Sequence, residues 1–174
     1  MVKHKDKSKS QQIKSKARKS LNNKLEKTKK NYVVDTSVVI NQFIPNLLEK
    51  GLNGKIIIPD AVIAELENLA NKGNEVGFTG LDQVALLHKL KRKHKFSLQF
   101  VGPRPDMKQI KYAKSGEIDA LIRGIAFKNK ATLVTADLIQ AKSAQAYGID
   151  VLFLRPKIIP QKKKSFFSFF KRKK

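Results

Sequence analysis

Short apolar runs alternate with helical segments between residues 32 and 154, and this alternation narrows the possible folds more than any other feature. The runs predict strands at 32–34, 55–58, 97–101, 132–135 and 151–154. Amphipathic spacing predicts helices after residue 35 and at 60–70, 79–93, 116–129 and 137–147, with a loop at 71–77. Strands separated by helices pair in parallel and are covered on both faces. The sequence therefore predicts an α/β fold with a mostly parallel central sheet of four to five strands.

Basic residues are concentrated at the two ends of the chain. The 174 residues include 37 Lys plus Arg and 14 Asp plus Glu, a formal net charge of +23. Residues 1–31 carry a net charge of +10, residues 155–174 carry +9, and residues 32–154 carry only +4. We therefore expect a basic, disordered N-terminal tail, a folded domain at 32–154 and a basic, Phe/Lys-rich C-terminal tail.

The tails predict an anionic partner, because lysines that neutralise phosphates release counterions. Nucleic acid or an anionic membrane surface is the expected partner, and a purely solubilising tail is the alternative. The candidate contacts are Lys14, Lys16, Arg18, Lys19, Lys162, Lys163, Lys164, Lys171 and Arg172. The four phenylalanines within Phe166–Phe170 predict docking to a protein, the ribosome, stacked bases or an anionic surface. Folding back onto the body is the alternative, and the sequence leaves a homodimer open.

Several classes of protein are excluded by composition. The chain has no cysteine, which removes disulfides, zinc ribbons and thiol nucleophiles. No apolar run approaches the roughly 20 residues of a membrane span, and no segment resembles a signal peptide. The three histidines are scattered, and neither a Ser/His/Asp arrangement nor a glycine-rich phosphate loop is present. We expect a cytoplasmic protein.

Four carboxylates occupy related positions in this alternating pattern. Asp35 and Asp137 directly follow predicted strands, whereas Glu65 and Asp119 border the apolar stripes of predicted helices. Ligands of open parallel sheets bind outside the carboxyl ends of the strands, so these side chains are expected to converge there. Carboxylates that converge repel one another unless a cation joins them, and hard divalent cations prefer oxygen ligands. The sequence thus predicts a metal site.

Each of these residues also has a simpler interpretation. Asp35 and Asp137 could be helix N-caps, Asp119 a favourable charge in a first helical turn, and Glu65 an ordinary boundary residue. The hydroxyls of Ser37 and Thr135 could serve water at the metal, or could cap backbone amides. Four other acidic residues are assigned to caps, loops or other faces: Asp60, Glu67, Glu117 and Asp150.

Residues 31–154 resemble the PIN domain, a nuclease fold. The resemblance rests on VDTS at 34–37, IPDAVIAEL at 58–66, GEIDALI at 116–122 and LVTAD at 133–137. It is nearest to the PIN domain that opens archaeal PIN–ATPase proteins, although no ATPase follows within this sequence. The resemblance implies a three-layer α/β/α sandwich. Asp35, Glu65, Asp119 and Asp137 fill all four acidic positions of the family pattern.

The same resemblance implies metal-dependent hydrolysis of phosphodiester bonds, usually in RNA, so RNA, either ribosomal or otherwise structured, becomes the expected partner of the tails. On this basis Asp35 and Asp137 are expected to be the main ligands of one or two Mg²⁺ or Mn²⁺ ions, with Asp119 as a further ligand. Glu65 is expected to be a ligand or to orient the attacking water. The expected enzyme is an endoribonuclease, and the alternatives are a non-catalytic RNA- or ribosome-binding protein and the toxin of a toxin–antitoxin pair.

Overall fold

The computed structural model describes residues 30–112 and 116–155. Nearly all of both predicted tails, including the basic residues and phenylalanines named above, lies outside the described residues. The strands are β1 (Asn31–Val34), β2 (Gly54–Pro59), β3 (Phe96–Val101), β4 (Thr132–Thr135) and β5 (Val151–Phe153). They form one sheet in the order β3-β2-β1-β4-β5, in which every neighbouring pair is parallel. The predicted α/β fold with a parallel sheet is confirmed.

Seven helices connect and cover the strands in the described part of the chain. They are α1 (Thr36–Ile40), α2 (Phe43–Glu49), α3 (Asp60–Asn71), α4 (Glu75–Leu90), α5 (Met107–Tyr112), α6 (Glu117–Lys128) and α7 (Leu138–Ala146). Parallel strands are joined by right-handed crossovers. This handedness places α1 to α4 on one face of the sheet and α6 and α7 on the other.

One expectation about the helices is wrong and one helix was not predicted, and local polar contacts explain both. The predicted loop at 71–77 ends early, because the Asn74 side chain accepts a hydrogen bond from Val76 N (3.0 Å) and starts α4 at Glu75. Helix α5 was not expected from the apolar pattern. It begins with a reciprocal pair in which Gln109 N donates to Asp106 Oδ1 (2.7 Å) and Asp106 N donates to Gln109 Oε1 (2.8 Å). This is a capping box, whose spacing is readable in a sequence.

The core is built on the central strands. The hydrophobic strand residues that are at most 2% exposed include Val33, Val34, Ile56, Ile57, Ile58, Leu133 and Val134. Consecutive strand residues point to opposite faces, so burial of whole runs means that both faces of the sheet are covered. Helices α3 and α4 pack closely because Gly77 and Gly80 bring α4 against the backbone and side chain of Leu66. This contact holds α3, which carries Glu65, in a fixed position.

The connections reverse direction between β1 and β4. From β1 the chain moves to β2 and β3 on one side, and it returns to place β4 and β5 on the other. Such a reversal opens a crevice at the carboxyl ends of the two strands, where open α/β sheets bind ligands. Asp35 N donates to Val134 O (3.0 Å), which extends the pairing of β1 with β4 to the edge of this crevice. Within the described residues, no helix is both long enough and apolar enough to span a membrane.

Candidate metal-binding active site

All four predicted carboxylates line one cleft at this reversal point, and we refer to Asp35, Glu65, Asp119 and Asp137 as the cleft carboxylates. The cleft has a volume of about 390 Å³. Its other lining residues are Thr36, Ser37, Ile40, Asn68, Leu69, Ile110 and Gln140. The tertiary structure therefore brings together acidic side chains that are separated by up to 102 positions in the sequence.

Asp35 directly follows β1 and is the most buried of the cleft carboxylates, with 4% of its surface exposed. Its Oδ2 accepts hydrogen bonds from Ser37 Oγ (2.5 Å) and Thr135 Oγ1 (2.8 Å). The side-chain amide nitrogen of Gln140, oriented by its surroundings, donates to Oδ2 at 2.9 Å and Oδ1 at 3.1 Å. Asp35 occupies the N-cap position of α1 without a capping hydrogen bond from its side chain. The simpler interpretation is therefore correct about the position of Asp35 but does not account for its side chain, which does not cap α1.

Asp137 is the second residue after β4 rather than the first, because Ala136 separates it from the end of the strand. Its Oδ1 accepts hydrogen bonds from the backbone N–H groups of Ile139 (2.7 Å) and Gln140 (3.0 Å), so it caps α7. The capping interpretation is correct for this residue. Capping uses only one of the two carboxylate oxygens. Oδ2 has no hydrogen-bond partner among the described residues and is free to accept a ligand.

Glu65 and Asp119 reach the cleft from helices on opposite faces of the sheet. Glu65 Oε2 accepts a hydrogen bond from Thr36 Oγ1 (2.5 Å), which ties α3 to the first turn of α1. Asp119 lies in the first turn of α6, where the N-cap residue Gly116 has no side chain to offer. Over residues 30–112 and 116–155, the one ion pair is Arg104–Glu67. None of the cleft carboxylates therefore forms an ion pair with a residue in these two ranges.

Burial and mutual repulsion disfavour the charged forms of three of these groups. Burial raises the pKa of Asp35, against the hydrogen bonds from Ser37 and Thr135, and the charge of Asp137 raises it further. Burial also raises the pKa of Glu65 and of Asp119, and in both cases neighbouring cleft carboxylates add to the effect. The cleft is therefore a site where a positive charge would relieve unfavourable electrostatics.

The donor set of the cleft fits a hard divalent cation. It offers carboxylate and hydroxyl oxygens and no nitrogen or sulfur ligand, which is the preference of Mg²⁺ and Mn²⁺. Among the described residues, no three acidic or histidine side chains already stand close enough together to coordinate one ion. The four side chains line the same cleft, and they would have to rotate toward one another to coordinate a cation.

The supporting hydroxyls do more than the sequence indicated. Besides donating to Asp35, Ser37 Oγ accepts a hydrogen bond from Ala136 N (2.9 Å), and Thr135 Oγ1 accepts one from Asp137 N (3.0 Å). Each hydroxyl therefore bonds to a backbone amide, as the simpler interpretation held, and also to a cleft carboxylate. The two roles together link the loop after β1 to the loop after β4.

Sequence reasoning missed three polar residues of the cleft, which are Asn68, Gln140 and Thr36. Thr36 was not predicted to be the hydrogen-bond partner of Glu65. Gln140 is completely buried and Asn68 is 8% exposed. The available signal was a polar residue at a helical position that points to the core, since Gln140 neighbours the buried Ala141 and Ala144 on α7. The competing acids are elsewhere: Glu67 pairs with Arg104, and Asp60 is the first residue of α3 rather than its cap.

The model of the PIN domain family matches residues 32–146 of the chain. The chain belongs to the PIN domain family. This confirms the resemblance read from the four acidic motifs. PIN domains are generally nucleases, so membership indicates a nuclease-like hydrolase that typically uses divalent metals.

Two curated relatives and one solved structure show how far the similarity extends. An uncharacterized KH and PIN-domain containing protein of Methanocaldococcus jannaschii is 42% identical over 127 residues, which are 72% of this chain and 20% of that protein. The Holliday junction branch migration ATPase PINA of Sulfolobus acidocaldarius is 25% identical over 122 residues, 70% of this chain and 22% of that protein. The chain thus spans about a fifth of the length of these relatives. A solved domain of a functionally unknown protein from M. jannaschii matches with a TM-score of 0.69 and 42% identity, covering 72% of this chain and 91% of that one.

Proposed function

We propose that this PIN domain is a metal-dependent endoribonuclease that hydrolyses internal phosphodiester bonds of RNA. The observation that carries the proposal is the cleft itself. Four carboxylates from the loops after β1 and β4 and from α3 and α6 meet at the reversal point of the sheet, and none of them forms an ion pair within the described residues. Clustering acids in this way, with Asp35 buried and Glu65 and Asp119 half-buried, is unfavourable for stability, so a function for them is the better explanation.

The contacts of each cleft carboxylate indicate its role in metal binding. When bound, a divalent cation supplies Lewis-acid chemistry, because it activates water for attack on phosphorus and stabilises charge on the departing oxygen. Asp35 would hold it with a carboxylate that Ser37, Thr135 and Gln140 keep in place. Asp137 would contribute Oδ2, since Oδ1 is committed to capping α7.

The remaining two carboxylates complete this arrangement. Asp119 would be a further ligand from α6, on the opposite side of the cleft from Glu65. Glu65 has one oxygen bound to Thr36, which leaves Oε1 to accept a hydrogen bond from the attacking water and orient it. Mg²⁺ and Mn²⁺ are the ions we propose, because both prefer oxygen donors.

The proposal is tested with a circular RNA, which has no ends and is linearised only by an endonuclease. We expect linear product with Mg²⁺ or Mn²⁺, none with EDTA, and a loss of at least about 100-fold for Asp35→Asn, since removal of a metal-ligand charge affects the reacting centre directly. The matched control is Asp150→Asn, which changes an exposed aspartate that does not line the cleft. Equal cleavage by the wild type and Asp35→Asn would overturn the assignment.

Substrates in the same assay separate the neighbouring possibilities. A DNA circle of the same sequence and a four-way DNA junction are included, because one relative is named a Holliday junction branch migration ATPase. Preferential cutting of DNA would replace RNA as the proposed substrate. Binding of RNA without cleavage under any metal condition would favour the non-catalytic alternative.

A further inference from the structure

A second charged feature lies on the folded body, away from the cleft. Residues 83–105 contain six basic residues and no acidic residue. The rest of the body, counted over 32–154, contains ten basic and twelve acidic residues. All of the net positive charge of the body therefore comes from this one segment, which comprises the end of α4, the turn that follows and the edge strand β3.

Five of these six cations are exposed and form no ion pair within the described residues, whereas the sixth, Arg104, pairs with Glu67. Lys89, Lys91, Arg92, Lys93 and Lys95 are all solvent-exposed. None of them forms an ion pair with any residue in the part of the chain that the structure describes. One or two cations at a helix C-terminus are favourable for the helix dipole. Five within seven residues exceed that need and repel one another, so an anion along this turn would relieve the repulsion.

An aromatic platform adjoins these cations. The rings of His88 and Phe100 stack with centroids 6.0 Å apart and planes 11° from parallel. Phe100 is 39% exposed although it belongs to a strand, and His88 is also exposed. Lys91 and Arg92 follow His88 by three and four residues, which places them on the same side of the helical turn. Exposed aromatic faces beside cations are the combination that binds single-stranded nucleic acid, by stacking and by phosphate contacts together.

The platform leads toward the cleft. Strand β3 is one of the two outer strands of the sheet, and it pairs in parallel with β2, with Phe100 opposite Ile58. Its carboxyl end therefore lies at the same sheet edge as the cleft. Arg104, just beyond β3, contacts Glu67 on α3, the helix that also carries Glu65. The six residues of β3 cover about 20 Å, a length that a few nucleotides span.

We propose that His88–Lys95 together with Phe100, which we call the β3-edge surface, binds a single-stranded segment of the RNA and guides it toward the cleft. The inference rests on the proposed nuclease function and extends it by assigning a substrate-binding surface to the body itself. Phosphates contact Lys91, Arg92 and Lys93, and a base stacks on the Phe100 ring.

The charge contribution is tested in the full chain by neutralising three cations at once, as Lys91→Gln, Arg92→Gln and Lys93→Gln. The control replaces three exposed lysines elsewhere, as Lys50→Gln, Lys72→Gln and Lys142→Gln. Binding of fluorescent oligouridine is measured in EDTA from about 50 to about 200 mM salt, so that no metal and no cleavage are involved. Three lost phosphate contacts reduce the salt slope by about 2, which makes the fall in affinity over this range about 20-fold smaller than for the wild type. The control is expected to retain most of the wild-type slope.

The stacking contribution is tested with Phe100→Leu, which keeps an apolar side chain in β3 and removes the aromatic face. We expect about 10-fold weaker binding of oligouridine at every salt concentration, because stacking does not depend on counterion release. A thermal melt of each variant checks that the fold is retained. Unchanged affinity of a folded Phe100→Leu variant would show that no base stacks at this position.

Other outcomes would overturn the inference. Equal loss of slope in both triple variants would mean that only total charge matters, and binding of the wild type to phosphatidylserine vesicles but not to oligouridine would assign the surface to a membrane. Because binding is measured without metal, the result is independent of catalysis. Loss of binding in a chain that never cleaves would support the β3-edge surface and refute the nuclease, whereas cleavage with unaltered binding would do the reverse.

Discussion

Replacing Gln140 with glutamate changes the cleft without changing its shape. Gln140 is completely buried, and its amide nitrogen lies 2.9 Å and 3.1 Å from the two oxygens of Asp35. In Gln140→Glu an oxygen of almost the same size replaces that nitrogen. The packing is preserved, while a hydrogen-bond donor to Asp35 becomes a second carboxylate beside it.

The expected loss of stability follows from this distance. Two ionised carboxylates about 3–4 Å apart repel by about 4–6 kcal/mol at an effective dielectric constant of about 20. The variant can avoid this repulsion by keeping the introduced carboxyl group protonated, which also restores a donor to Asp35. Holding a proton on a glutamate with an ordinary pKa of about 4.3 costs up to about 5 kcal/mol at pH 8 and about 1 kcal/mol at pH 5.

The direction of the pH dependence is therefore defined. The fold of the variant raises the pKa of the introduced carboxyl group above its unfolded value, so the folded state binds more protons than the unfolded state and loses stability as the pH rises. The free energy of unfolding, measured by urea titration in EDTA, is expected to fall below the wild-type value by about 1 kcal/mol at pH 5 and by about 4–5 kcal/mol at pH 8.

The control is Gln145→Glu, which makes the same chemical change on the same helix at an exposed position. Only a small loss is expected there, about 0.5 kcal/mol, from a negative charge near the C-terminus of α7. If Gln140→Glu differed from the wild type by the same amount at pH 5 and pH 8, the Gln140 amide would not lie against an ionised Asp35, and the account of how this carboxylate is positioned would be refuted.

Three further predictions concern the metal, the helix packing and the tails. Mg²⁺ or Mn²⁺ is expected to raise the melting temperature more at pH 8 than at pH 5. Burial raises the pKa of three cleft carboxylates, and these must lose their protons to bind a cation. No shift of the melting temperature in calorimetry at either pH would contradict a metal site. Gly77→Ala is expected to destabilise the fold by about 1–3 kcal/mol in urea titrations, because the added Cβ would meet the backbone of α3. The control Gly124→Ala has open space around the added Cβ, and it is expected to be neutral or to stabilise the fold by up to about 1 kcal/mol. Removal of residues 1–30 and 161–174 is expected to flatten the dependence of log RNA affinity on log salt, and an unchanged slope would mean that the tails do not contact phosphates.

Local patterns in the sequence were sufficient to predict the strands and to identify the four cleft carboxylates. Short apolar runs predicted all five strands, and glycine and proline marked the ends of β2 and β3. Consecutive apolar residues are what central strands covered on both faces, such as β1 and β2, require. The helices were harder where a few polar side chains decide the boundary. Asn74 starts α4 earlier than the apolar pattern indicated, and Gln42 adopts a left-handed conformation (φ 56°) between α1 and α2.

The sequence alone determined that this chain contains a parallel α/β domain with acidic residues at strand ends and helix starts, because those features depend on neighbouring residues. Only the tertiary structure decided which of them meet. Asp35 reaches Thr135, one hundred positions away, because β1 pairs with β4, and Gln140 is identified as a partner of Asp35 only once α7 is packed on the sheet. Strand order and helix packing arise from contacts between distant segments, whose free energies no local pattern encodes.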